Sequence, residues 1–540
     1  MAGLVASFGS GAMTNPMADI DESDLILVTG SNTTEAHPVI SSRIKRAVES
    51  GRTKLIVVDP RKIPLTRFAT LWLRQNLGTD VAWVNGLMHV IIEEKLYNGK
   101  YIESRTEGFE MLKKMVERYS PEYVAEITGI PSDDLIQAAR MYAKARSASI
   151  FFAMGITQHR TGTDNVKSLA NLAMLCGNVG LPGGGVNPLR GQNNVQGACD
   201  LGALPNVFSG YQSVADPLIR ERMAAAWEVK TLPESPGLTV TEMVMQAGEG
   251  RVKALYVIGE NPLISDPDLN HAEKVFSNLD LLVVQDIFLS ETAKLADVVL
   301  PSASFAEKDG TFTNTERKVQ RVRKAVDSPG TARQDWEIIC DLSSRLGHSM
   351  TYTDGEAIME EIARVTPSYG GITYPRLEKE DIHWPCSSVE HPGTPRLHVG
   401  KFTRGLGLFH ALEYIPPAEL PDSEYPLFLT TGRVLYHFHT GTMTMQSEGL
   451  NDMVPECFVE ISSGDADRYA ITQGDAVRVS SRRGEITAMV RISDQAIEGT
   501  IFIPFHFAKA AANRLTNAIL DPIAKIPEFK VCAVRIEKVE

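Results

Sequence analysis

A chain of 540 residues, 43% of them apolar, exceeds what one hydrophobic core organises, and predicts about three domains able to bury a large cofactor. The net charge of -13, with no long Lys/Arg run, excludes a nucleic-acid partner, whose phosphates such a surface repels. No apolar run approaches the roughly 18 residues that span a bilayer, and six cysteines without CxxC spacing point to free thiols in a reducing, cytoplasmic setting, not to disulfides, zinc or cluster ligands.

The opening MAGLVASFGSGAMTN is Gly/Ser-rich without a basic flank, so it is no signal peptide and reads as a loop entered partway through a domain. Asp24 to Gly30 is a short apolar run ending in Gly; a helical pattern and a second run, Lys54 to Asp59, follow it. That succession predicts a βαβ unit with ligand-facing loops at the strand ends. Helical spacing covers Asp80 to about Leu96, and Ser132 opens a helix with Leu135, Ile136, Ala139 and Tyr142 on one face. Ala148 to Met154 is a buried strand running into Gly155. The Gly-rich stretch from Gly177 to Gly202 is too long and polar for a turn and reads as a functional loop. Ala254 to Pro262 echoes the first strand and loop, and Leu281 to Asp286 echoes the strand ending at Asp59, so two related α/β halves are predicted. Residues 365–425 form a connecting region, and the last 115 or so, with β-branched runs such as Ala476 to Ser480 and Thr500 to Pro504, form a β-barrel.

Neither strand-end loop matches GxGxxG, but Gly30, Asp59 and Asp286 sit where open α/β sheets bind nucleotides; ordinary turn roles are the alternative. Two such carboxylates point to two nucleotides. Arg190, in a Gly/Asn-rich loop, could clamp a carboxylate through two hydrogen bonds, or simply be solvated. His437 and His439 would share one face of an extended strand, yet no third ligand lies near them, which favours cofactor or structural hydrogen bonding over a metal.

Asn187-Pro-Leu-Arg-Gly-Gln-Asn-Asn-Val-Gln-Gly-Ala-Cys-Asp200 closely resembles the catalytic subunit of formate dehydrogenases, among the molybdopterin oxidoreductases that bind two pterin guanine dinucleotides. Further matches run along the chain: Ser23 to Asn32, Val58-Asp-Pro-Arg61, Met154 to Gln158, Gly259-Glu-Asn-Pro262, Glu307 to Asn314, Thr431-Gly-Arg433 and Pro527 to Lys530. The resemblance implies an α/β fold: two Rossmann-like domains around a bis-pterin site, here 1–192 and 193–422, and a double-psi β-barrel, 423–540. Residues 305–333 would pack on a small iron–sulfur domain. It further implies that Gly30, Asn32, His37, Asp59, Arg61, Gly78, Thr79, Asp80, Gly155 and Gln158 hold one dinucleotide. Gly259, Asn261, Gln285, Asp286, Lys308 and Asp335 would hold the other. Thr431, Gly432, Arg433, His437, His439, Phe505, Asn513 and Lys530 would cap the pterins and phosphates. Arg190 would orient formate beside a molybdenum or tungsten centre for reversible two-electron oxidation to carbon dioxide, with electrons leaving to an electron-transfer subunit or a ferredoxin-like partner.

In that family a Cys-His or selenocysteine-His pair lies just before the segment matching Ala2-Gly-Leu, and four cluster cysteines and a lysine lie further upstream. None is in this sequence. The metal ligand is therefore expected upstream of Met1, with none in this chain, and Met1 is not expected to be the natural start. The expectation is an in-frame selenocysteine codon read as a stop, or a split gene, leaving this chain inactive alone, with the [4Fe-4S] cluster in the missing part. Glu307 to Val322 would then expose a sheet edge. Rival readings are a nitrate reductase, which shares the Thr431 to Thr444 motif, and a non-catalytic scaffold of the same fold. Arg190 in its loop favours formate, although Met445-Gln446 departs from the paired arginines of many relatives.

Overall fold

Leu25–Thr29 (β1), Lys54–Val58 (β2), Leu71–Leu73 (β3), Ala148–Phe152 (β4) and Val186–Pro188 (β5) form a parallel sheet in the order β3-β2-β1-β4-β5. Every residue of β1 and β4 is buried, which is why both read as apolar runs and not as an alternation. The strand order reverses around β1, so the carboxyl ends of β1 and β4 form a topological switch point, where sheets of this kind open a crevice. The flanking helices Asp80–Glu93 and Gly162–Leu175 are buried on almost every side and supply much of the main core.

The computed structural model describes residues 1–539 and comprises two units. The first contains residues 1–191, 264–271 and the chain from 396 onward; the second contains 192–263 and 272–395. Residues 264–271 and 396–422 therefore cluster with the first unit, whereas the sequence reading places them in 193–422.

Two local expectations need correction. The opening segment is a helix, Ala2–Phe8, not a loop, with Met1 as its N-cap residue and the Met1 carbonyl accepting from Val5 N at 3.1 Å. Leu4 and Phe8, one turn apart, are fully buried, and an added Cβ at Gly3 would lie 2.9 Å from Val166 Cβ, so the helix rests directly on Gly162–Leu175. Gly9, at φ +85°, ends it in a left-handed cap. The stretch from Gly177 to Gly202 is likewise not one loop, since it contains β5 and the helix Val195–Asp200. Only three residues of β5 are needed to extend the sheet, too few for a periodic signal.

In the second unit Ala254–Ile258 (β6), Leu281–Asp286 (β7) and Val298–Pro301 (β8) form a parallel sheet, order β8-β7-β6. Leu282 and Val284 anchor it to Val244, Val275, Phe276 and Ala293. A hairpin of Gly310–Thr313 (β9) and Lys318–Val322 (β10) follows, and Ile382–His383 (β11) pairs with β10. β11 pairs with Lys318 and Val319 of β10, while β9 remains an edge strand of this three-stranded sheet, so an edge within Glu307 to Val322 pairs with no other strand among the described residues. Arg317 in the hairpin turn is completely buried. Its guanidinium donates to the carbonyls of Trp384, Thr394 (2.9 Å) and Pro395 (2.6 Å). Nearby, Asp200 accepts from Gln196 (2.7 Å), Tyr211 (2.7 Å) and Tyr369 (2.8 Å).

The first unit resumes as a closed barrel of Leu427–Gly432 (β12), Phe458–Ile461 (β13), Ala476–Ser480 (β14), Glu485–Ile492 (β15), Thr500–Pro504 (β16) and Cys532–Lys538 (β17). The strand order is β12-β16-β13-β15-β14-β17, with β12–β16 and β13–β15 parallel. Arg61, just past β2, docks on it: its Nη2 lies 2.6 Å from Glu460 and its Cζ 3.6 Å from the Phe502 ring centroid. Thr163 donates both its N–H and its hydroxyl to Asp521, at 2.8 and 2.7 Å. All six cysteines are free thiols.

Candidate functional site

Because the strands of the first sheet are parallel, their carboxyl ends collect segments far apart in sequence at one edge. β1 delivers Gly30, Ser31 and Asn32; β2 delivers Asp59 and Arg61; β3 delivers Gln75; β4 delivers Gly155 and Gln158; β5 delivers Arg190. At the switch point the backbone of Gly155 donates to Gly30 O at 3.0 Å. An added Cβ on Gly30, itself at φ +55°, would lie 2.6 Å from Ile156 N, so only glycine allows the two loops to touch. Gly78 (φ +71°) packs equally tightly on Pro417, where a Cβ would meet Cγ at 2.5 Å. Thr79 precedes the helix that begins at Asp80 without a side-chain cap, its hydroxyl donating instead to Asn76 O at 2.7 Å.

Several buried polar atoms along this edge lack a protein partner: Ser31 Oγ, Asn32 Oδ1, His37 Nδ1 and Gln75 Oε1. Buried groups of this kind are normally satisfied, so a polar ligand along this edge would supply the partners they lack. His37 Nε2 lies 2.9 Å from Arg190 O. A carbonyl only accepts, so Nε2 carries the hydrogen and Nδ1 of the neutral ring is left as an acceptor. Arg190 also donates from Nη2 to Gly11 O at 3.0 Å.

The Met1 side chain packs on Gly11, where an added Cβ would collide with Met1 Cγ. Met1 thus touches the residue whose carbonyl receives Arg190, as a packing contact and a helix cap. The ligand expected upstream of Met1 falls outside the described residues.

Below the strand ends lie four nearly inaccessible titratable groups. Burial pushes the Asp59 carboxyl up to about 6, although the Arg61 N–H, donated at 2.9 Å, and the Arg61 and Lys530 charges oppose it. Burial raises Asp80 to about 7, with Trp83 opposing and Asp59 adding to the rise. His159, 3.8 Å from Asp80, is held down at about 4 by burial. Lys530 is lowered to about 7, mainly by burial and then by Arg433. Groups so far from their usual ranges gain most from a ligand that hydrogen-bonds to the carboxylates and brings negative charge to the amine.

The barrel contributes Thr431, whose hydroxyl donates to Phe529 O (2.9 Å) and whose carbonyl accepts from Lys530 Nζ (2.7 Å). Gly432 ends β12, and Arg433 after it donates to Gly191 O at 3.4 Å. The His437–His439 segment is not extended: it is a loop with His439 at φ +47°. His437 uses both ring nitrogens within the segment between β12 and β13, on Thr444 Oγ1 (3.1 Å) and Val454 O (2.7 Å), so it has no free ring nitrogen to offer a cofactor. Only His439 stays with the site, its ring edge-on to Phe505 and its basicity depressed to about 4 by burial. The Asn513 amide nitrogen is committed as well, donating to the carbonyls of Ile264 (2.9 Å) and Ser265 (3.0 Å).

The second unit repeats the strand-end logic. Gly259 (φ +62°) follows β6 and donates to Gln285 O at 2.8 Å. Buried Asn261 bridges Glu291 (2.8 Å) and the Thr292 hydroxyl (2.8 Å). Gln285 donates to Asp335 at 2.7 Å, and Lys308 pairs with the other oxygen of that carboxylate at 2.5 Å. Burial raises Asp286 above the usual carboxylate range.

Sequence reasoning overlooked Gln75, His159 and His506. His159 sits one helical turn beyond Gly155, whose carbonyl lies 2.8 Å from its Nε2, a spacing that could have flagged it. His506 carries no local signal.

Among the described residues, no group of three or more His, Cys, Asp or Glu side chains is placed to hold a metal ion, and no helix is long and apolar enough to cross a membrane. Residues 5–345 match the family model Molybdopterin oxidoreductase, and residues 427–533 the Molydopterin dinucleotide binding domain. The chain is 51% identical to F420-dependent formate dehydrogenase 1 subunit alpha of Methanococcus maripaludis, covering 100% of itself and 80% of that protein. It is 42% identical to Formate dehydrogenase H of Escherichia coli, covering 100% and 76%. Acetylene hydratase from Pelobacter acetylenicus shares the fold with a TM-score of 0.79 at 21% identity, over 100% of this chain and 80% of that one. On the strength of matches that run through both α/β segments and the barrel, this chain belongs to the molybdopterin oxidoreductase family.

Proposed function

We propose that this protein is the catalytic subunit of a formate dehydrogenase, which oxidises formate reversibly to carbon dioxide. The observation that carries the reading is Arg190: a guanidinium at the end of β5, its own carbonyl held by His37 and its neighbour's by Arg433. When bound, a molybdenum or tungsten centre held by two pterin dinucleotides, with a [4Fe-4S] cluster, supplies the acceptor for the two electrons that formate loses. Arg190 binds the carboxylate through two parallel N–H bonds and fixes the direction of its C–H.

The residues fit such a cofactor. Asp59 and Asp80 are carboxylates suited to the N–H edge of guanine, the unmatched atoms of Ser31, Asn32 and His37 await polar partners, and Lys530 and Arg433 offset phosphate charge. Gly259, Asn261, Gln285, Asp286, Lys308 and Asp335 serve the second dinucleotide. Electrons leave through another subunit; F420, in the name of the 51% relative, is the first acceptor to test.

The activity is tested with the metal-loaded enzyme, following carbon dioxide release from labelled formate against a redox dye. Turnover of formate but not nitrate supports the reading; nitrate reduction without formate oxidation overturns it.

A second measurement concerns the dinucleotide site. With Lys530 titrating near 7 in the ligand-free chain, its amine is largely neutral at pH 8. A pyrophosphate beside it restores the charge, so binding takes up protons between about pH 7 and the ordinary lysine value of about 10.4. Calorimetry with GDP at pH 8, in two buffers of different ionisation enthalpy, should show uptake approaching one proton, lost in Lys530→Met. Equal uptake by both proteins would remove Lys530 from the phosphate site.

A further inference from the structure

His506 lies outside every role assigned above, yet it is 1% exposed and joins two backbone segments of the barrel. Its Nδ1 is 2.5 Å from His439 O, and its Nε2 is 3.0 Å from Val434 N. A carbonyl cannot donate and an amide N–H cannot accept. The ring is therefore neutral, with its hydrogen on Nδ1 and a lone pair on Nε2. Phe505, 4.9 Å away between ring centroids, and Phe507, at 6.2 Å, pack on it, so it cannot rotate without vacating both bonds.

What those bonds hold matters for substrate. Val434 follows Arg433, whose guanidinium donates to Gly191 O, and Gly191 follows Arg190. The seat is tight: an added Cβ on Gly191 would collide with Arg433 Nη2. The other bond fixes the left-handed turn at His439.

We propose that His506 is a positioning residue for substrate: by its single tautomer it holds the Val434 amide, and thus Arg433, against the peptide that carries Arg190. The proposal rests on the reading of Arg190 as the formate anchor. It makes two hydrogen bonds unequal in effect, because only the one to Val434 leads to Arg190.

The test uses the metal-loaded enzyme with His506→Ala, His506→Gln and His506→Asn. The readouts are KM and kcat for formate per loaded centre, and calorimetric binding of azide, a small linear monoanion standing in for the carboxylate. His506→Ala is expected to raise KM and the azide Kd roughly tenfold, with kcat falling less than about threefold. Glutamine, whose Oε1 reaches the Nε2 position and accepts from Val434, restores both constants. Asparagine, whose amide reaches only His439 O, does not. A purely structural residue would lower melting temperature and metal loading and leave KM and the azide Kd of the loaded fraction unchanged. That result, or equal behaviour of the Gln and Asn variants, overturns the proposal. Arg190→Gln separates the two levels. If it binds azide and turns over formate normally, the formate reading fails; if it loses both while the His506 series is flat, only the role of His506 fails.

Discussion

Replacing Arg190 with glutamine is expected to lower kcat/KM for formate by about a thousandfold. A charged hydrogen bond contributes roughly 1.5–3 kcal/mol, and each 1.4 kcal/mol is a factor of ten, so losing two parallel bonds to a desolvated carboxylate spans about a hundred- to ten-thousandfold. Lysine keeps the charge and loses the fork, so Arg190→Lys should fall between wild type and Arg190→Gln. Arg190 follows a strand and is only half-buried, so the melting temperature should change little. Steady-state kinetics on metal-loaded protein decides it: a glutamine variant within tenfold of wild type removes Arg190 from substrate binding.

Arg317→Met is expected to cost the second unit about 3–5 kcal/mol, the range for removing one member of a buried charged network. Methionine fills most of the volume but strands the carbonyls of Trp384, Thr394 and Pro395 without donors. It also removes the cation facing Asp200, whose acid burial already pushes upward. Hydrogen exchange should reveal faster opening of residues 317–322 and 382–395, with unfolding of this unit lowered by roughly 10 °C. Unchanged exchange there would show that the three carbonyls find other donors. Glycine at this position would relieve the φ of +72° but leave the same carbonyls unmet, so the side chain, not the backbone, dictates arginine.

The first sheet was legible because β1 and β4 are buried on both faces and announce themselves as apolar runs, and the second because β6 and β7 are apolar runs as well, although β6 is buried on neither face. Gly30, Asp59, Gly259 and Asp286 were singled out as the ends of those runs, and Arg190 by the motif around it. What stayed hidden depends on partners distant in sequence. His506 matters through Val434 and His439, Asn513 through Ile264, and β5 exists only because β4 offers it an edge. The His437–His439 pair would share a face only in an extended segment; a left-handed residue turns it, and His437 makes structural hydrogen bonds. The opening helix misled because Gly3, read as a loop former, is the small residue that lets it approach a neighbouring helix.

The first unit is interrupted in sequence, with most of 192–395 inserted between its two halves. During synthesis at about 5–20 residues per second, the emerged sheet waits roughly 10–40 s before the residues that complete its unit begin to appear. Through that interval Arg61, Thr163 and the glycine-lined crevice lack Glu460, Asp521 and Lys530. A chain arrested before the barrel is made would leave Arg61 and Thr163 without their carboxylate partners and the core of the first unit incomplete, a form for chaperones to hold. The contact between the Lys530 amine and the Asp59 carboxylate charge therefore forms only after the barrel has emerged.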